Sequence, residues 1–488
     1  MSASHSTDAG AHASSAAGTN ASERWLKLEE IRWRGPQLWI RADIEGHPFS
    51  TSVWYGDVDL DALEAKIGTP AFERIAFHVA AFEINKLCSL SPTHLSFGRY
   101  ARFVTPEFTS LWRTVLVKVW AQWRYEHDLP DWTGPVLVDA PTDETRATRA
   151  AFVAPDVGDV LLFFGGGKDS LVAARLLDTA GIGWSSQTYA HSVYGPPNPQ
   201  HALIDRLLDE LSPRRRHKQW VADDAFAAPL PSLLRAGGAR SFLAAETPSS
   251  IFGSLPTILA HGYRSMALAH EFSANRGNLI WERTGEDVNH QWGKSWEAEE
   301  LLSSYIDREL VPGFRWYSIL QPLSDVLIFE LLRDAGDAVL FTHSCNVQKP
   351  WCHRCPKCAY VALGYAAHLP DGIYEKVFTE DVLDLPENEL HFRQMIGLGD
   401  HTPFECIGEI GEARLALALC AARGRRGRAV DLWKREGGAL DLPSILARYA
   451  TVHDDAPHGI PASIGGSVLP AMREAERRAN ERIQGLLR

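Results

Sequence analysis

"DVLLFFGGGKDSLVAARLLDTAG", Asp159 to Gly181, joins two patterns across three glycines. Val160 to Phe164 are apolar without alternation, as in a strand buried on both faces. After Ser170, the residues Leu171, Val172, Ala174, Leu176 and Leu177 recur at helical spacing, and Gly181 stands where a helix stops. Gly165, Gly166 and Gly167 therefore occupy a strand-to-helix turn. Such a turn brings free backbone N–H groups, reinforced by the helix dipole, onto an anion.

Downstream the alternation continues. A strand is expected at Trp184–Ala190, a helix at about Gln200 to Leu211, and a short strand near Gln219–Ala222. A helix follows around Ile251 to Gly262, then "SMALAHE" as a strand and "AVLFTHS", Ala338 to Ser344, as another. This order predicts an α/β fold with a parallel sheet covered on both faces. Ligands of such sheets sit beyond the carboxyl ends of the strands. Gly165, His191, His270, Glu271, His343 and Ser344 all fall at expected strand ends, so one cleft is predicted to collect them.

On either side the pattern changes. Residues 1–22 are rich in Ala, Ser, Gly and Thr and read as a disordered tail. Residues 23–155 read as an α+β domain: "QLWIRADI" and "HPFSTSVWY" alternate as strands, and "AFERIAFHVAAFEINKL" and "PEFTSLWRTVLVKVWAQWRYEH" carry helical stripes. Eight of the 16 tryptophans lie there and are assigned to packing rather than binding. The unit with the glycine turn spans 156–385, and 386–488 reads as mostly helical, with "EIGEARLALALCAARG" and "LPAMREAERRANERIQGLLR" as its clearest segments.

The 488 residues are 45% hydrophobic and 23% charged, an ordinary globular composition with no membrane-length apolar run. A net charge of −12 argues against a nucleic-acid substrate, which needs a broad basic face. One basic run, "RRRHK" at Arg214 to Lys218, reads either as a solvated loop or as a phosphate-binding patch. No basic n-region or apolar signal core opens the chain, so a cytoplasmic location is expected.

The anion at the glycine turn can be narrowed. The spacing is neither the Walker pattern nor the dinucleotide G-x-G-x-x-G. The stretch resembles the S-G-G-x-D-S signature of the PP-loop ATP pyrophosphatases, with Gly165 where the first Ser usually stands. That resemblance implies cleavage of ATP to AMP and pyrophosphate, usually to adenylate a carboxylate, carbonyl or amide oxygen. It assigns phosphate contacts to Gly165, Gly166, Gly167 and Ser170, and places Asp169 beside Mg2+ or the pyrophosphate. Lys168 either touches phosphate or faces solvent. The plain alternative is a glycine turn that only lets strand and helix pack closely.

"CNVQKPWCHRCPKC" spaces Cys345, Cys352, Cys355 and Cys358 as C-x6-C-x2-C-x2-C. Two C-x-x-C steps sharing Cys355, with Cys345 as fourth ligand, suit a structural Zn2+; free thiols and an iron–sulfur cluster are the alternatives.

A PP-loop followed by clustered cysteines resembles 7-cyano-7-deazaguanine synthase in order of parts, but the middle departs from it. "ETPSSIFGSLPTILAHGYRSMALAHEFSANRGN" and "VNHQWGKSWEAEELLSSYI", with the glycine turn and "WCHRCPKCAYVALGY", look more like the UDP-N-acetylmuramoyl-L-alanyl-L-glutamate epimerase family, MurL. That resemblance implies an ATP- and Mg2+-dependent epimerisation of L-Glu to D-Glu in a peptidoglycan precursor, UDP-N-acetylmuramoyl-L-Ala-L-Glu. Adenylation neutralises the α-carboxylate and so acidifies the neighbouring Cα–H. Acid and base should lie on opposite faces of that carbon. Of His191, His270, His290, Lys294 and His343, the pair His290 and Lys294 is favoured, with Asp169 as the loop's catalytic carboxylate. Glu271, Ser273 and Asn275 are assigned to substrate polar groups or Mg2+, and Asn289, Gln291 and Ser295 to substrate. Two other readings stand beside this one: an amide- or nitrile-forming carboxylate-activating enzyme, and a non-catalytic nucleotide sensor. The intact Asp169 and Ser170 weigh against the sensor.

Overall fold

A computed structural model describes residues 23–139, 148–225 and 243–488. The tail expected at 1–22 lies outside them. Three strands open the described chain, β1 (Trp25–Arg34), β2 (Gln37–Ile44) and β3 (His47–Tyr55), followed by the short β4 (His94–Ser96) and β5 (Val136–Leu137). Then come β6 (Val160–Phe163), β7 (Trp184–His191), β8 (Arg216–Asp223) and β9 (Ser265–Leu268). A hairpin of β10 (Leu279–Trp281) and β11 (Glu286–Val288) precedes β12 (Arg315–Ser318).

All but the hairpin form one ten-stranded sheet, ordered β12-β9-β6-β7-β8-β3-β2-β1-β4-β5. The run β12-β9-β6-β7-β8 is parallel throughout. The first three strands form an antiparallel meander, joined to the parallel run where β3 pairs antiparallel with β8. Strands β1 to β5 thus extend the same sheet that carries the glycine turn.

Both faces of the parallel part are covered, which is why its central strand β6 (VLLF) is apolar without alternation. Leu162, Ala267 and Tyr317 face a core shared with helices Lys168–Thr179, Asp325–Leu332 and Pro356–His368 and with the C-terminal helices. Their neighbours Leu161, Met266 and Trp316 face a second core, with helices Thr69–Ile84, Glu246–His261 and Trp296–Tyr305. The expected C-terminal region is helical, from Glu389–Met395 to Ala462–Leu487. No helix among the described residues is long and apolar enough to cross a membrane.

Two expectations are corrected. "AVLFTHS" is not a strand: Ala338 to Phe341 belong to the 3-10 segment Arg333–Phe341, which is broken by a kink at Gly336. The position beside β9 belongs to β12, which the sequence reading did not identify. "RRRHK" divides: Arg214 and Arg215 are exposed loop residues, as the solvated reading expects, whereas Arg216 to Lys218 open β8. Arg214 pairs with Asp159, Arg216 with Asp209 at 2.7 Å and Lys218 with Asp205 at 2.6 Å.

Candidate active site

The chain runs β6-β7-β8 in one direction across the sheet, then returns to place β9 on the other side of β6. Between β6 and β9 the strand order reverses, and ligands of open parallel sheets bind outside such a point. The glycine turn leaves β6 there, and His270 and Glu271 leave β9.

Gly166 adopts φ of +80°, a region open to glycine, and packs against the ring of His343. A Cβ on Gly167 would lie 2.7 Å from the Ser344 hydroxyl. The His343 N–H donates to the Gly166 carbonyl at 2.9 Å. Gly165 is exposed, with open space where a Cβ would sit. Gly167 then caps the 12-residue helix without a side-chain hydrogen bond, leaving the first-turn N–H groups uncapped by a side chain. The Ser170 hydroxyl donates to the Gly167 carbonyl at 3.1 Å.

Lys168 neither faces solvent nor reaches outward. Its side chain is buried, bonds Asp169 at 2.5 Å and also bonds Asp325, with Phe329 beneath it. Burial works against its charge, but Asp169, Asp325 and Glu271 outweigh it and hold the ammonium protonated. Burial likewise opposes ionisation of Asp169, and Lys168, Lys357 and Lys294 nonetheless keep its carboxyl below the usual range. Glu271 is shifted upward, by burial first and then by Asp169 and Asp325. Asp325 was missed because nothing in "LSDVLIF" distinguishes it from a helix-start carboxylate.

Beside this network opens a cleft of about 360 Å3. His290, Lys294, Gln291, His191 and Tyr194 line it, together with Glu405 and Cys406. The structure thus brings His290 and Lys294 into one cleft, and Lys294 is close enough to Asp169 and Glu271 to shift both. Lys294 is raised above its ordinary value: burial is overcome by Cys406 and Glu271. It stays an ammonium near neutrality and suits an acid or an anion partner rather than a base. His290 is also raised, its contact with Cys406 and the Glu405 charge prevailing over burial. By contrast His191 is pushed down to about 4, by burial and then Lys86 with Asp223 opposing, and His343 to about 4, by burial and then Lys349. His270 lies well below its usual value through burial and Lys294.

The substrate candidates divide. Asn275 donates to Phe272 O and Gln321 and accepts from Trp296 N–H at 2.7 Å. Asn289 is committed to Ala274 O and Gln291 N–H, and Ser295 caps the helix Trp296–Tyr305. All three hold backbone in place. The Ser273 hydroxyl and the Gln291 amide oxygen are buried without a hydrogen-bond partner among the described residues. Both line a second cleft of about 560 Å3, walled further by Arg276, Arg414 and Arg448, and Gln291 belongs to both clefts.

Cys345, Cys352, Cys355 and Cys358 converge, with sulfurs all within 4.8 Å of one another. Cys345 to Cys355 is 3.7 Å and Cys352 to Cys358 is 3.8 Å. A tetrahedral ion with Zn–S bonds of about 2.3 Å requires sulfurs about 3.8 Å apart, so the four can hold one. Backbone N–H groups of Val347, Gln348 and Cys358 point at these sulfurs. His353 lies outside the group, 3.3 Å from Glu380.

Fold and site together define an α/β protein with an anion-receptive glycine turn at the switch point of its parallel strands. Family models described as the MurL N-terminal domain and the MurL C-terminal domain match residues 249–319 and 340–434. Three curated proteins are similar, each named UDP-N-acetyl-alpha-D-muramoyl-L-alanyl-L-glutamate epimerase. The one from Xanthomonas oryzae pv. oryzae is 32% identical over 57% of this chain and 60% of its own length. That from a Micromonospora species is 30% identical over 60% of each chain. That from Salinispora tropica is 29% identical over 64% of this chain and 66% of its own. The chain thus spans about three fifths of the length of the first two relatives. The similarity to the MurL models lies in the two segments 249–319 and 340–434.

Proposed function

We propose that the protein epimerises the terminal L-Glu of UDP-N-acetylmuramoyl-L-Ala-L-Glu to D-Glu, activating the α-carboxylate with ATP. The observation that carries this reading is the adjacency of the glycine turn and the His290–Lys294 cleft, bridged by Lys294. Activation and proton transfer at the neighbouring carbon need their groups within one substrate's reach. In this reading the uncapped N–H groups after Gly167 receive phosphate, and Asp169, the partly exposed carboxylate of the network, is the hard oxygen ligand for Mg2+. Lys294 stabilises negative charge as it develops on the acyl oxygen. The second cleft, with its three arginines, offers room for the anionic remainder of a large substrate. Zn2+ at the four cysteines would pin the start of helix Pro356–His368, which carries Lys357 to the site. A cytoplasmic location fits a nucleotide-linked precursor and ATP.

Incubation with UDP-N-acetylmuramoyl-L-Ala-L-Glu, ATP and Mg2+ in heavy water tests the reading. Deuterium should enter at the Glu Cα, D-Glu should form, and ATP should yield AMP and pyrophosphate. Inversion requires that Cα–H bond to break, whereas an amide- or nitrile-forming enzyme leaves the carbon untouched. ATP consumed with no deuterium at Cα removes the epimerase. ADP and phosphate as products remove the PP-loop chemistry.

A further inference from the structure

Cys406 lies between helices Glu389–Met395 and Ile410–Ala422 and is half-buried on the wall of the 360 Å3 cleft. Its sulfur, a His290 ring nitrogen and a Glu405 oxygen lie within 4.8 Å of one another. The loop is held in place: Lys357 donates to the Cys406 carbonyl, and Asn346 donates to Glu405 at 2.7 Å. His290 Nδ1 contacts the Gln122 amide oxygen at 2.5 Å, and that oxygen can only accept. The proton of a neutral imidazole therefore sits on Nδ1, and Nε2 is the nitrogen free to accept a proton. A second feature of the cleft points to a ligand. The amide oxygen of Gln291, a cleft-lining residue only 6% exposed, is buried and has no hydrogen-bond partner among the described residues.

Resting on the epimerase reading, we propose that Cys406, paired with His290 and lying against Lys294, is the base that removes the proton from the Glu Cα. The Cα–H bond breaks, the S–H bond forms, and the electron pair moves onto the acyl oxygen beside the Lys294 ammonium. Reprotonation on the other face comes from an acid across the cleft. Tyr194 lines that cleft and is held as the phenol, by Glu246 first and then by burial.

The electrostatics agree. Burial would raise the Cys406 thiol, but Lys294, His290 and Lys357 bring it down to about 7. Glu405 beside it and Glu246, which lines the same cleft, are the acidic groups that face it. A thiolate available near neutrality is matched to proton abstraction, because efficiency peaks when the base titrates near the working pH.

The test uses the full chain with the same substrate, ATP and Mg2+ in heavy water. Cys406→Ser should slow Cα deuteration by about 100-fold or more, while AMP release continues. On the unmutated protein, iodoacetamide labelling of Cys406, read by peptide mass, should rise through about pH 7. The substrate should block it, and His290→Asn should move its midpoint upward. Deuteration by Cys406→Ser at the unmutated rate overturns the proposal. So does joint loss of AMP release and deuteration in a folded variant, or labelling with an ordinary thiol midpoint near about 8.5. Unmutated protein that releases AMP without Cα exchange instead overturns the epimerase reading on which the proposal stands.

Discussion

Gly166 lies flat against the imidazole of His343, leaving no room for a Cβ, while Gly165 one residue earlier borders open space. The two positions therefore predict opposite outcomes. Gly166→Ala adds a clash to a left-handed conformation that costs a non-glycine residue about 1–2 kcal/mol. It should lower the melting temperature and abolish AMP formation. Gly165→Ser should leave the melting temperature unchanged and sustain AMP formation, since it restores the hydroxyl usual in this turn. Thermal melts with product chromatography check both, and a wild-type-like Gly166→Ala would refute the packing described.

Lys168 and Asp325, each with a side chain no more than 2% exposed, form the buried end of the same turn. Lys168→Met leaves Asp325 without its cation and should destabilise the fold by about 3–5 kcal/mol. Lys168→Met with Asp325→Leu should cost less than the sum of the single changes, because neither charge is then stranded. Urea denaturation of the four proteins measures the coupling, and additive effects would show that the pair is not energetically linked.

Metal analysis of the purified protein should find about one zinc per chain, with Cys355→Ser losing it. Removing a structural ion removes folding free energy, so a chelator should lower the melting temperature of the unmutated protein. Protein free of zinc and iron, unresponsive to chelator, would reduce the four cysteines to ordinary thiols.

His78 lies between the N-terminal segment and the sheet's second core, bonding Arg74 O and the Tyr305 hydroxyl, each at 2.7 Å. Burial and the Arg74 charge push it down to about 3 from 6.5, outweighing its bond to the Arg74 carbonyl. The folded state therefore binds its proton less readily than the unfolded chain. The resulting stability is complete above about pH 6.5 and is lost progressively as pH falls toward 3. His78→Gln should flatten that acid limb in denaturation measured from pH 7 to 4. An unchanged limb would assign the acid lability elsewhere, His270 and His368 being the next buried neutral imidazoles.

Local patterns were enough for the elements that make their own case. The strand–glycine–helix unit, the hairpin of β2 and β3 and the long C-terminal helix all follow from periodicity and turn residues. The four cysteines converge: the C-x-x-C steps set Cys352, Cys355 and Cys358 through local backbone, and Cys345 joins them across six intervening residues. What failed depended on partners far along the chain. "AVLFTHS" has strand composition, yet β12 occupies the edge beside β9 and Ala338 to Phe341 close into a 3-10 segment instead. Arg214, Arg216 and Lys218 look like a free basic patch until Asp159, Asp209 and Asp205 pair with them. Lys168 is a variable position in the local motif, and only the arrival of Asp325, 157 residues later, makes it a buried charge. Cys406 stands outside the cysteine cluster and carries no local signal. Its place beside His290 and Lys294 comes from folding the C-terminal helices against the parallel sheet. Local backbone preference is written in neighbouring residues, whereas a side chain's charge state and chemical role are set by whichever distant groups share its burial.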